Sequence, residues 1–280
     1  MAGPRFLPYW LTAPAAGLVL GLVLGPIVLL VRVSLRDAGA RFGSRPTGDP
    51  TLSNYRNLLE ADSLKILGFT LIFGAVLAVA TVALGYALAL VLHSWTPRWQ
   101  VFGLAVVVAP KLANPLATVF GLKRLLGEAG PINATLRSFG VLEDPIAFWP
   151  GPLGAGIAEV YFLLPYVVVL LVLQLARVDP RWPAAARGLG ASNFHAFRTI
   201  TLPLSLPGLL LAGQLSSMWG IGAILGPQFL GNPTETTISV EIQHQAFDVG
   251  NWPRAAAWAV LSLVSGFLFA FLGWLTRRLR

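Results

Sequence analysis

The sequence contains no cysteine. Disulfide scaffolds, thiol nucleophiles, iron–sulfur clusters and cysteine-ligated zinc are therefore excluded. Charge is almost as scarce: Asp, Glu, Lys and Arg make up 11% of 280 residues, where a soluble domain carries about 25%. Three histidines occur, His93, His195 and His244, and none sits in a His-Glu-x-x-His pair or another metal-ligand spacing. A Gly-x-x-x-x-Gly-Lys-Ser/Thr phosphate loop is also missing, so any ATP hydrolysis belongs to another polypeptide. What the chain has instead is apolar surface: 55% hydrophobic residues and a mean hydropathy of +0.70. That composition excludes a disordered chain and an ordinary cytosolic enzyme, and leaves a multi-spanning membrane protein.

A membrane helix needs about 20 mainly apolar residues to cross about 30 Å of hydrocarbon. Six stretches meet this length: Trp10 to Val31, Ile66 to Leu92, Val101 to Leu122, Leu153 to Leu175, Leu204 to Leu225 and Ala255 to Leu275. They are too long, and alternate too little, for barrel strands. The first exceeds a signal-peptide core and lacks a clear cleavage site, so it is read as a retained helix. The third is interrupted by Pro110, Lys111, Asn114 and Pro115, and the fourth contains Glu159 and Pro165. The expected fold is an all-α membrane protein with about six transmembrane helices.

Charge placement orients these helices. With a cytoplasmic N-terminus, segments 1–9, 93–100, 176–202 and 276–280 face inward. They carry Arg5, Arg98, Arg177, Arg181, Arg187, Arg198, Arg277, Arg278 and Arg280 against one acid, Asp179. The opposite segments, 33–63, 123–151 and 226–254, are longer and carry eight Lys/Arg with ten Asp/Glu. Basic residues are denser on the first side, which puts both termini in the cytoplasm. The pI near 10.6 thus reflects a membrane edge. Without a Lys/Arg cluster or an aromatic platform, the expected surface partner is the lipid bilayer and no nucleic acid.

The longest inward loop, about 176–202, has legible local chemistry. Asp179-Pro180 suits a helix start, and Ala184 to Ala186 favour helix. Gly190 suits a stop, and Ser192 can cap a second turn through Asn193 to Phe197. Two short helices joined by a tight Gly-Ala-Ser turn are expected. Phe194 and Phe197 are possible anchors, and a surface hairpin that merely connects two spans is the plainer account.

The stretch Ala184-Ala185-Ala186-Arg187-Gly188-Leu189-Gly190-Ala191-Ser192, followed by Phe197-Arg198-Thr199-Ile200-Thr201-Leu202-Pro203-Leu204, resembles the EAA loop. That loop marks the inner-membrane permease subunits of binding-protein-dependent ABC importers. Further similarity lies in Leu52-Ser53-Asn54-Tyr55, Gly121-Leu122, Gly130-Pro131-Ile132-Asn133, Gly222, Pro227, Leu230-Gly231 and Asn251-Trp252-Pro253. Together these cover about residues 50–280, and they resemble the spermidine/putrescine branch most.

The resemblance implies a type I ABC importer permease fold in a bacterial inner membrane. Residues 1–63 would hold the first helix and an extracytoplasmic segment, and 64–280 the core permease domain. It implies no cofactor. The implied partners are a second permease subunit, here a non-identical homologue, two cytoplasmic ATP-binding subunits and an extracytoplasmic solute-binding protein. The loop would dock on an ATP-binding subunit through Ala184, Ala185, Arg187, Gly188, Gly190, Ala191, Ser192, Phe194, Phe197, Arg198 and Pro203. The family's motif acid falls on Ala184. The implied solute is small and polar, a polyamine or related amine. Importers of a phosphonate, opine or oxyanion are the alternatives, because an acid common in polyamine permeases is Ala223 here.

Lys111 and Glu159 stand out within the spans, since ionisable groups there are costly and meet a partner or a wet path. Two accounts stay open: they pair with each other, or they contact solute or a gate. Asn114, Tyr161, Tyr166, Gln214, Ser217 and Trp219 are the other pathway candidates, and their aromatics could meet an amine by cation–π contact. Glu235, Glu241, Gln243, His244, Gln245 and Asp248 fall in the external segment expected near the binding-protein site. An ATP-independent carrier or channel is the competing class, although no half-length repeat is apparent.

Overall fold

Backbone groups in hydrocarbon must bond within their own segment, which apolar runs of this length achieve as helices. A computed structural model describes residues 13–37, 49–141 and 143–278, and helices account for its regular structure. The one extended contact among these residues is an isolated antiparallel bridge between Arg36 and Pro50. Arg5, Arg280 and the expected start of the first span at Trp10 lie outside the described residues.

In chain order the helices are α1 (Ala13–Ser34), α2 (Ser53–Asn57), α3 (Ala61–His93), α4 (Pro97–Val108), α5 (Pro115–Leu125), α6 (Pro131–Ser138) and α7 (Pro152–Leu175). They continue as α8 (Arg181–Gly188), α9 (Asn193–Ala196), α10 (Leu202–Ile221), α11 (Leu225–Leu230), α12 (Ile238–Gln243) and α13 (Trp252–Arg278). Among the described residues, five stretches are long and apolar enough to cross a membrane: Pro14–Ser34, Ala61–His93, Pro152–Leu175, Asn193–Ile221 and Trp252–Phe269. The third run differs from a continuous span. Its halves, Pro97–Leu112 and Pro115–Leu125, meet at 100°, and six crossings result only if this bent pair counts as one.

Local chemistry explains the bend. Pro110 and Lys111 lie in a single 3-10 turn, Ala109–Leu112. Asn114 then leaves helical geometry, as a residue before proline prefers. Its side-chain oxygen accepts from the amides of Leu116 and Ala117 at 2.9 and 3.3 Å. Pro115 opens α5, where its missing N–H costs nothing. The fifth run also ends earlier than expected, at Ile221. Gly222 to Ile224 break the helix, and Leu225 begins α11 instead.

The described chain forms two compact units. One comprises the described residues of 1–63 together with Glu241–Leu263. Its α1 presents exposed Leu18, Leu20, Leu22, Val28 and Leu29, as a helix facing lipid does. Buried Asn54 ties the end of that helix to α2: its amide donates to the carbonyls of Ser34 and Arg36 at 2.9 and 2.8 Å.

The other unit comprises Leu64–Val240 with Val264–Arg280. Here α7 is the central helix. Leu163, Val167, Val168 and Leu171 are fully buried and form one cluster with Tyr86 and Ala89 of α3 and Ala212 of α10. Helices in lipid gain little from burying apolar surface against each other, so close packing of small residues matters more. Ala89, Ala158 and Ala212, each 0% exposed, supply it. A second cluster joins Ala158 and Phe162 of α7 to Val119 of α5 and Leu230 of α11. It brings the far side of the bend against α7, beside the site described next.

Candidate functional site

Glu159, Phe162 and Tyr166 are spaced i, i+3 and i+7 along α7 and therefore share one face. With Lys111 and Pro115 at the bend, Trp219 on α10, and Gly222, Ala223, Ile224 and Leu225, they line a cavity of about 490 Å³. That volume lies within the range of small-ligand sites.

Glu159 sits at the cavity wall and is 3% exposed. Its Oε2 accepts from Trp219 Nε1 at 2.8 Å, and its Oε1 accepts from the Gly226 amide at 2.9 Å. A buried carboxylate needs such donors, because removing it from water without them is expensive. Gly226 must approach closely to reach it. A Cβ there would lie 2.5 Å from the Ala155 carbonyl and 3.0 Å from Glu159 Cγ. Glycine is thus the residue that lets the α11 backbone reach the carboxylate.

Lys111 reaches the same cavity from its 3-10 turn. Its Nζ lies 4.5 Å from the Tyr166 ring centroid, 5.4 Å from Phe162 and 5.5 Å from Trp219. All three are within the reach of cation–π attraction. Among the described residues, no ion pair of 4 Å or less joins Lys111 to Glu159. The two charges share a cavity, with the rings on the ammonium and the N–H donors on the carboxylate.

The other pathway candidates fall elsewhere. Asn114 is spent as the cap of α5. Tyr161 is exposed and packs edge-on against Phe162. Ser217 donates to the Gly213 carbonyl one turn back, at 2.9 Å. Gln214 is half-buried on α10 and is not among the residues lining the cavity. Phe162 and the Gly226 amide are site groups that the sequence reading passed over. The helical spacing from Glu159 marks Phe162, whereas no local pattern marks Gly226. Among the described residues, no group of three or more His, Asp or Glu has the arrangement to hold a metal ion.

The loop of residues 176–202 forms a second candidate site. Asp179 Oδ1 accepts from the Arg181 amide at 2.9 Å and starts α8. Gly190 closes it at φ +93°, a conformation that side chains disfavour. Ser192 Oγ accepts from the His195 amide at 3.1 Å and caps α9. A π turn, Phe197–Thr201, leads into α10. Pro203 follows one residue after it, beyond Leu202, and cannot donate to that turn, which suits the widened geometry.

The loop side chains divide cleanly. Ala184, Ala185, Arg187, Gly188, Gly190, Ser192, Arg198 and Pro203 are exposed, and Ala191 is half-buried. Leu189 is 91% exposed, Phe194 70% and Trp182 55%. Phe197 turns inward, packs against the α7 cluster and lies 6.2 Å from the Tyr86 ring. The result is a hairpin anchored by one phenylalanine while three large apolar side chains face out.

The described residues thus form an all-helical membrane domain with a bent third run and an exposed hairpin before α10. The fold matches a chain of a bacterial ABC transporter involved in the import of the acidic polysaccharide alginate, with a TM-score of 0.74 at 16% identity, covering 98% of this chain and 95% of that one. It also matches a chain of the bacterial alginate transporter in complex with an alginate pentasaccharide-bound periplasmic protein, with a TM-score of 0.76, 16% identity and the same coverage. The chain belongs to the family described as binding-protein-dependent transport system inner membrane component, whose model matches residues 17–280. It is therefore a multi-pass inner-membrane permease of a binding-protein-dependent ABC importer.

Among its relatives is the spermidine/putrescine transport system permease protein PotB of Escherichia coli K12, 30% identical over 230 residues, covering 82% of this chain and 83% of the relative. The protein of that name from Haemophilus influenzae is 29% identical over 236 residues, covering 84% and 82%. The putrescine transport system permease protein PotI of Escherichia coli K12 is 27% identical over 224 residues, covering 79% and 75%.

Proposed function

We propose that this permease imports polyamines or related small amines, driven by ATP hydrolysed on separate cytoplasmic subunits. The observation that carries the amine reading is the cavity beside Glu159, where three aromatic rings surround an ammonium group. Such a cage attracts alkylammonium ions, and the names of the relatives point to the same chemistry.

The loop of α8 and α9 couples transport to ATP by docking into a groove of an ATP-binding subunit. Its exposed Trp182, Leu189 and Phe194 support that reading, since helix-in-groove contacts rest on such apolar anchors. Ala184 occupies the position of the family's acid, and the exposed Arg181, Arg187 and Arg198 supply charge to the contact instead. This assignment puts both termini and the loop in the cytoplasm, as the arginine distribution favours. A second, non-identical permease subunit completes the pathway, and an extracytoplasmic binding protein delivers the solute. The external helix α12 and the turn after it lie on that side.

Lys111, the one cation among the described residues that line the cavity, favours a second reading: an anionic solute such as a phosphonate or oxyanion. One assay separates the readings. In vesicles holding the whole importer, labelled putrescine or spermidine should accumulate only with ATP and the binding protein. Uptake that persists without ATP would point to a carrier or channel. Uptake of oxyanions but not amines would support the second reading.

A further inference from the structure

We propose that Lys111 is a tethered competitor of the solute: it fills, from within the chain, the subsite that a substrate's terminal ammonium must enter. The inference rests on the amine reading above and specifies which group holds that subsite at rest.

The chemistry of the side chain carries the argument. Beyond its Cα, a lysine is a 4-aminobutyl group, four methylenes ending in an ammonium. A linear aminobutyl amine ends in the same group. Lys111 places that group where three rings converge, at 4.5 to 5.5 Å from their centroids. Beyond the rings it feels only the Glu159 carboxylate across the cavity: among the described residues its ammonium has no hydrogen bond and no ion pair within 4 Å. A strongly hydrated point charge on a flexible stem exchanges readily with another cation of its kind. Two rings of the cage, by contrast, are held in place. Phe162 is 7% exposed within the α5–α7–α11 cluster. Trp219 is fixed by its bond to Glu159 at 2.8 Å. Each Glu159 oxygen carries one hydrogen bond and can accept another.

Position supports exchange as well. Lys111 stands on a four-residue 3-10 turn at the 100° bend between α4 and α5. Such short turns hold poorer hydrogen bonds than α-helix and mark hinges. A small rotation there withdraws the ammonium without unwinding a long helix. A lysine that vacates the cage as solute enters also keeps the cavity from standing open and cation-free between cycles.

The test is equilibrium binding of labelled putrescine to the complete importer in lipid nanodiscs without ATP. An internal ligand that fills its site most of the time weakens apparent affinity by the vacant fraction, so Lys111→Met should tighten putrescine binding by about tenfold or more. Lys111→Arg, which keeps a cation on the stem, should bind as weakly as the parent. Unchanged or weaker binding by Lys111→Met overturns the proposal. So does adipate binding that the parent shows and Lys111→Met loses, because Lys111 would then be an anion contact.

A measurement on the unaltered protein covers the case in which the variant does not assemble. Tetramethylputrescine carries two cations and is not consumed by acetylating reagents. It should raise the acetylation rate of Lys111, read by mass spectrometry, and a fall or no change overturns the proposal. Absence of ATP-driven amine uptake by the parent protein would remove the amine reading itself. Uptake without these Lys111 effects would remove only the competitor.

Discussion

Glu159 of α7 accepts a hydrogen bond from the indole of Trp219 on α10 at 2.8 Å, across 60 residues of sequence. With the Gly226 amide on its other oxygen, this carboxylate joins α7, α10 and α11 at the cavity. Removing it strands two donors, and each unsatisfied buried group costs about 1–3 kcal/mol. Glu159→Leu is therefore expected to lower the thermal unfolding midpoint of the importer complex by several degrees and to abolish uptake. Adding Lys111→Met should not restore either quantity, because the stranded donors are unrelated to the lysine. Recovery of transport in the double variant would instead mean that the two ionic groups serve chiefly each other.

Gly226 is the companion case. A methyl group at this position would lie 2.5 Å from the Ala155 carbonyl, which is backbone and cannot swing away. Overpacking of this kind costs about 1–3 kcal/mol. Gly226→Ala is expected to push α11 off α7, break the amide bond to Glu159 and cut uptake at least tenfold. Cross-linking between cysteines introduced on α7 and α11 would report the displacement. Wild-type cross-linking with wild-type uptake would show that the close approach is dispensable.

Asn133 acts as a pin outside the cavity. It is fully buried, donates to the carbonyls of Gly127 and Ile146 at 3.1 and 3.0 Å, and accepts from the Ile146 amide at 2.8 Å. At about 1 kcal/mol per bond, Asn133→Ala should cost about 3 kcal/mol of local stability. Hydrogen exchange at the Ile146 amide is then expected to accelerate by about a hundredfold, while exchange in α7 is unchanged. Equal exchange in parent and variant would assign the order of this segment to other contacts.

Much of this was readable in advance, and the exceptions share a cause. The 24 residues of α7 follow from their own length and apolarity. The bend at 112–115 follows from an asparagine cap set before a proline. The α8–α9 turn follows from Gly190 and Ser192, whose preferences act within a few residues. Asn54 and Asn133 lie inside motifs noticed in the sequence, yet their work as pins depends on carbonyls 6 to 20 residues away. The partners of Glu159 are more distant still. A carboxylate in a span announces that it needs donors, but an indole and a backbone amide carry no mark of being those donors. For Lys111 and Glu159 pairing is the somewhat favoured account from sequence over separate roles, because a cavity wide enough to keep them apart is a tertiary property.

The α8–α9 hairpin offers a clean separation of stability from function. Phe197 packs on the α7 cluster near Tyr86, whereas Phe194 and Leu189 meet no core. Phe197→Ala should destabilise the protein by about 3 kcal/mol, at the lower end for phenylalanine truncation because the ring is only partly buried. Phe194→Ser and Leu189→Ser should leave the unfolding midpoint within about 1 °C, since surface changes of this kind fall within about 0.5 kcal/mol. If the hairpin docks on an ATP-binding subunit, those two serine variants should lose co-purification of that subunit and solute-stimulated ATP hydrolysis. Gly190→Ala should fall between, because forcing a side chain into φ +93° costs about 1–2 kcal/mol and reshapes the turn. Serine variants that still retain the subunit and its stimulated hydrolysis would mean that the exposed apolar face is not where ATP is coupled to transport.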